Sequence, residues 1–364
     1  MQFHIAVYLR CSLIGLSLAV LCFAWPTAAS AQFDDPAKPT VVPKTKAKPK
    51  AKTKSKSKKP PEKIEAAVEK LNARGVQLDT SEKQIWRCGV QVRALGGNYG
   101  GLFGTISVPT DWPEQTVRVQ KEDITPNVKK MAYRTLEQGV KQMTIAIPML
   151  INGETARSVV VYEVERHSLK APPDTTLFIL PTKMPLAVKK HLGAGPFIES
   201  TQPKFKKLAD ELIEGKTLAW EQVEAIYDGV RSRVKWENGK DKGALAALND
   251  GEGNKEDVTG VFVATCRAAK IPARLVWIPD SLYAEFYLED AEGQGYWIPC
   301  FVASVKKEFG SVSTHAPILQ KGDNFKVPEK KESLRFVNEF LTGKGGGGGR
   351  PEVEFIRRLE GIVK

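Results

Sequence analysis

Residues 251–301 constrain this chain more than any other stretch. Asn254 stands where a helix would need a side-chain acceptor, and Glu256 and Asp257 follow in what would be its first turn. Free backbone amides and the positive end of the helix dipole favour all three there. An apolar run, Val258 to Cys266, extends the helix, and Ile271-Pro272-Ala273-Arg274 ends it. Leu275-Val-Trp-Ile278, then Ser281 to Leu288, then Tyr296 to Phe301 read as strands. The pattern predicts one buried helix followed closely by three strands.

This string resembles the core of the transglutaminase-like family, which belongs to the papain-like cysteine enzymes. The family pattern runs Gly-x-Gly-x-Cys-x-Asp, an apolar helix, Ile-Pro-Ala-Arg, then His-x-Trp-x-Glu and Trp-x-Pro-x-Asp. The resemblance covers roughly residues 200–305, including two helices expected at 203–214 and 218–234 and the run Gly243 to Leu248. It implies an α+β fold in which helices pack on an antiparallel sheet. It also implies a thiol acidified at a helix start, a histidine that shuttles its proton and a carboxylate that orients the histidine. In this chain the three triad positions hold Lys255, Ser281 and Phe301. A lysine at the positive end of a helix has no evident base to deprotonate it, serine accepts no proton at neutral pH, and phenylalanine orients nothing.

Two functions are open on this reading. In the first the cleft persists without catalysis, as a binding or scaffolding surface lined by Asn254, Lys255, Ser281, Tyr283 and Trp297. Its cation favours an anionic or carboxylate-bearing ligand on a protein or peptide. In the second, a peptidase or transglutaminase works through Cys266 or Cys300 with a displaced histidine such as His315. Cys266 lies near the end of the helix, where a thiolate is not favoured, and reads as a buried structural residue. Cys300 reads as packing. His167 and His191 read as surface residues, and His315, in Ser-Thr-His-Ala-Pro, as a loop residue. The helix-on-strand packing that the resemblance implies makes Cys266–Cys300 the candidate disulfide. No spacing suggests a metal site, and no cofactor is expected.

The N-terminus reads as a leader. Arg10 precedes the apolar run Cys11–Trp25, and Ala29-Ser30-Ala31 resembles a cleavage site. An uncleaved membrane anchor is the alternative. The chain is therefore expected in a secreted, periplasmic or cell-envelope setting. Residues 32–63 hold eleven lysines against Asp34, Asp35 and Glu62, a net of +8 out of +12 for the whole chain. The run Lys44–Lys59 cannot bury a core and reads as a disordered tail. It is a spacer or an attachment to anionic envelope polymer or lipid. Nucleic acid is not expected, because no aromatic residues interleave the lysines.

The remainder orders itself around these two features. The expected organisation is a leader over 1–31, the Lys/Pro-rich tail over 32–61, a helix (Glu62 to Arg74) with connector over 62–83, and an antiparallel β domain over 84–166. A connector over 167–200 leads to the transglutaminase-like domain over 201–342, a glycine linker over 343–350 and an apolar segment over 351–364 that docks on itself or a partner. In the β domain, Trp86, Cys88, Val90 and Val92 alternate with polar residues, as do Val117 and Val119. Gly96–Gly104 reads as a loop, and it lacks the Gly-Lys-Ser/Thr ending of a phosphate loop. Met143–Met149 and Ser158–Val164 read as a hairpin about Asn152-Gly153. A further helix is expected over Glu332–Leu341.

Overall fold

The computed structural model describes residues 2–5, 74–346 and 349–363. The expected helix from Glu62, the lysine tail and the leader beyond Ile5 lie outside the described residues. All described residues belong to one unit, Met1–Val7 with Ala66–Lys364. Among the described residues no helix is long and apolar enough to cross a membrane.

The strands in chain order are β1 (Gln2–Ile5), β2 (Gln77–Arg93), β3 (Asn98–Ser107), β4 (Gln115–Ile124), β5 (Lys130–Thr135), β6 (Lys141–Leu150), β7 (Thr155–Lys170) and β8 (Phe178–Ile179). Helices α1 (Leu186–Lys189), α2 (Pro203–Ile213) and α3 (Ala219–Arg233) follow, then β9 (Lys235–Trp236), α4 (Ala244–Asp250), β10 (Glu252–Gly253) and α5 (Lys255–Ala268). The chain ends with β11 (Ala273–Ile278), β12 (Ser281–Asp290), β13 (Gly295–Phe301), β14 (Glu308–Phe309), β15 (Gln320–Lys321), β16 (Phe340–Gly346) and β17 (Glu352–Val363).

Two sheets form a sandwich, in the orders β1-β16-β3-β6-β5 and β17-β2-β7-β4. Apolar side chains alternate inward along each strand, so Trp86, Cys88 and Val90 meet Leu102, Met143 and Ile147 in a shared core. Four expectations fail here. β6 and β7 are not a hairpin: β6 pairs with β3 and β5, and β7 with β2 and β4. The Asn152-Gly153 turn, with Gly153 at φ +88°, carries the chain from one sheet to the other. The stretch predicted as a glycine loop is largely strand β3, where a Cβ on Gly104 would come within 3.1 Å of Ile145. Glu332–Leu341 is not a helix, and the glycines beyond it run into β16, closing the sandwich beside β3. The terminal apolar segment docks as expected, as strand β17 along Lys83–Arg93 of β2.

The second body is a mixed layer: α2, α3, α4 and α5 cover one face of the antiparallel sheet β14-β13-β12-β11-β15, with β8 beside β12. Helix α5 is buried from Asp257 to Ala268, and it packs on Leu282, Ala284, Phe286 and Leu288 of β12 and on Ile298 and Cys300 of β13. The other face of the sheet carries Tyr283 and, across it, Phe301, against Val276, Ile278 and Trp112. Ion pairs then join this face to the sandwich. Lys321 Nζ donates to Glu285 Oε1 at 2.7 Å and to Glu114 Oε1 at 2.6 Å, with all three side chains buried.

Candidate functional site

Helix α5 starts as its sequence predicts. Asn254 Oδ1 accepts from the Asp257 amide at 2.8 Å, and Asp257 Oδ2 accepts from the Asn254 amide at 3.3 Å, a reciprocal capping box. Asp257 Oδ1 also accepts from the Gly243 amide at 2.9 Å, pinning the start of α4 to the start of α5. Asn254 Nδ2 donates to Asp241 Oδ1 at 2.6 Å. Arg335, buried and lying over the Phe197 ring at 4.6 Å, pairs with both Asp241 and Glu256. Burial raises the Glu256 carboxyl to about 7 against the pull of Arg335, with Asp241 adding to the rise.

Lys255 occupies the first turn of α5, and its ammonium lies 5.4 Å from the centre of the Trp236 ring. Trp236 belongs to β9, which runs parallel to β10: the Lys235 amide donates to Gly251 O at 2.9 Å and the Glu237 amide to Gly253 O at 2.8 Å. Because alternate residues of a strand face opposite edges, the peptide groups of Trp236 turn away from β10. Beside them opens a cleft of about 320 Å³. It is lined by Val234, Lys235, Trp236, Glu237 and Val258 and by Val302 to Val305. Arg231 shapes the second stretch by donating to Val302 O and Ser304 O, each at 2.6 Å. The cleft thus combines a strand edge unpaired among the described residues with an apolar floor of Val234, Val258 and Val302, and the Lys255 ammonium lies over the ring of one of its lining residues, Trp236.

The candidate cleft residues separate. Asn254 and Lys255 stand at this helix end. None of the five, Asn254, Lys255, Ser281, Tyr283 and Trp297, is among the residues that line the cleft. Tyr283 is fully buried on the sheet face away from α5, with its hydroxyl accepting from Arg166 Nη2 at 3.2 Å. Trp297 packs against Tyr287 and His191 and under the Arg274 guanidinium, 4.0 Å from the ring centre. Phe301 turns its ring to Tyr283 and offers its carbonyl to the Tyr227 hydroxyl at 3.1 Å. Sequence reading missed the cleft walls. Trp236 was findable as a lone aromatic residue just after a helix, whereas Arg231 and residues 302–305 carry no local signal.

All three described cysteines are free, so the candidate Cys266–Cys300 bridge is not formed. Each is fully buried. Burial pushes the Cys88 thiol up to about 12 and the Cys266 and Cys300 thiols upward as well, since an apolar interior disfavours the thiolate. His191 is not a surface residue: it is 4 % exposed, edge-on to Trp297 at 5.2 Å. Burial, with Arg274 and Arg267 nearby, lowers it to about 2. His167 is half-buried in β7, and His315 lies in a loop with Nε2 3.1 Å from Thr80 O.

Residues 206–300 match the family model described as the transglutaminase-like superfamily. No curated protein matches the chain. Among solved structures, the chain resembles a candidate cysteine protease from Cytophaga hutchinsonii, with 14% identity over 79% of this chain and 93% of that one and a TM-score of 0.51. A candidate protease from Parabacteroides distasonis is a more distant match, with 12% identity over 61% of this chain and 47% of that one and a TM-score of 0.26. The first likeness is one of fold. The matched segment runs from within α2 to β13, the helices and strands whose order was read from the sequence, and over these residues the chain is similar to the transglutaminase-like superfamily.

Proposed function

We propose that this protein is a non-catalytic transglutaminase-like module that holds an extended, carboxylate-bearing peptide in the cleft beside α5. The observation that carries the reading is Lys255: at the helix end where the family chemistry needs a thiolate stands an ammonium, seated over Trp236. The edge of Trp236 offers peptide groups for strand addition, and the apolar floor takes a side chain. The buried thiols support the same conclusion. A cysteine nucleophile needs an accessible thiolate, and Cys266 and Cys300 have neither exposure nor a depressed pKa.

The test is the rate of iodoacetamide alkylation at Cys88, Cys266 and Cys300 of the native chain as a function of pH, read by mass spectrometry. Slow reaction at all three below pH 8 is the expected result. One thiol that alkylates rapidly below neutral pH would restore the enzyme reading.

The setting is the cell envelope. The leader-like residues 1–31 and the cationic run Lys44–Lys59 support it: the first directs export, and the second attracts anionic polymer or lipid. Deleting residues 32–61 is expected to abolish a salt-sensitive retention on anionic vesicles; retention that persists refutes the attachment role.

A further inference from the structure

Strand β17 is an edge strand of the sandwich. It pairs with β2 on one side, and among the described residues nothing pairs with the other. Long free edges of this kind are templates for pairing with another chain, and proteins usually blunt them with charge or covering loops. β17 is twelve residues long and leaves Leu359, Ile362 and Val363 more than 40 % exposed. Val353 and Phe355 face the sandwich core, so Glu354, Ile356 and Arg358 line the outer face.

We infer that this edge is an interface between two copies of the chain, paired antiparallel about Ile356. The segment Glu354-Phe-Ile-Arg-Arg358 selects a second copy over an unrelated partner. Within one chain Arg358 lies 3.7 Å from Glu354, an exposed pair; turned antiparallel onto itself about Ile356, the segment exchanges it for Glu354 of each copy opposite Arg358 of the other. Ile356 then meets its own counterpart, and Val353 meets Leu359 on the inner face. Opposite charges and apolar pairs directly across two strands each stabilise the ladder. The two-fold axis turns one of these two ion pairs into the other, as an isologous interface requires. The window has natural ends. Pro351 lacks an amide to donate, and a bulge between Leu359 and Gly361 breaks the register. Glu360, which falls opposite Glu352, is already engaged by Arg87 at 3.2 Å.

Sedimentation velocity of the full chain over a concentration series tests this. The expected result is a monomer–dimer equilibrium for the native chain and loss of the dimer in Arg358→Glu, which places like charges across both ends of the ladder. The exchange Glu354→Arg with Arg358→Glu should restore the dimer, which separates lost pairing from lost folding. A native chain that stays monomeric throughout overturns the inference, and so does a dimer indifferent to Arg358→Glu.

Discussion

The guanidinium of Arg267, near the end of α5, meets the carboxylate of Asp323 at 2.6 Å with 2% of each side chain exposed. Arg267 also donates to Ala273 O and Gly193 O, so one side chain ties the helix to β11, to the segment after α1 and to the loop beyond β15. A buried pair is expensive to break because the survivor keeps its charge without a partner. Asp323→Ala is therefore expected to cost about 3–5 kcal/mol of stability. Chemical denaturation checks it, and a loss well under 1 kcal/mol would mean that water reaches Arg267 in the native state.

Acid should destabilise the fold through His191. Its folded pKa, about 2, lies far below the ordinary 6.5. The unfolded chain therefore takes up a proton below about pH 6.5 that the folded chain refuses. Stability contributed by neutral His191 is complete above that pH and falls as pH drops, by about 1.4 kcal/mol per pH unit. Denaturation midpoints between pH 4 and 8 should decline less steeply in His191→Leu than in the native chain. Parallel profiles would show that His191 is accessible to solvent.

Helix α5 was legible because its signals are local: an acceptor before the first turn, acids within it and an unbroken apolar run. The sandwich was half legible. Alternation located β2, β4, β6 and β7, but Asn152-Gly153 specifies only that the chain reverses, and which strands then pair is decided by residues far away. Glycine misled twice for the same reason. Gly343 reads as linker, yet in β16 a Cβ there would stand 2.6 Å from Leu102 Cδ2. The position needs close approach to β3 and not freedom of the backbone. The burial of His191 had no local sign, because its neighbour Trp297 arrives from β13.

Restoring one lost triad residue should harm the fold. The Phe301 ring belongs with Tyr283 in the cluster around Val276 and Ile318. Phe301→Asp removes that packing and sets a carboxylate against apolar neighbours, with an expected loss of about 2–4 kcal/mol. Phe301→Leu keeps the apolar contact and should cost less. Thermal unfolding of the two variants distinguishes them, and an Asp variant as stable as the native chain would mean that the ring position is open to water.

The cleft makes the sharpest demand on Lys255. Its ammonium is seated over Trp236, 5.4 Å from the ring centre, and on the proposed reading it meets the ligand carboxylate from there. Its direct contribution to folding is small, about 0.5–1 kcal/mol for a cation over an exposed ring. Lys255→Glu should therefore leave the unfolding temperature nearly unchanged. On an array of extended peptides made in acidic and amidated forms, the native chain should retain acidic peptides preferentially. Lys255→Arg should behave like the native chain, and Lys255→Glu should bind them about tenfold more weakly, the equivalent of about 1.4 kcal/mol. Trp236→Ala should weaken amidated peptides by removing a wall and acidic peptides further by removing the cation's seat as well. Equal retention of acidic peptides by the native chain and Lys255→Glu would show that the ammonium does not select the ligand.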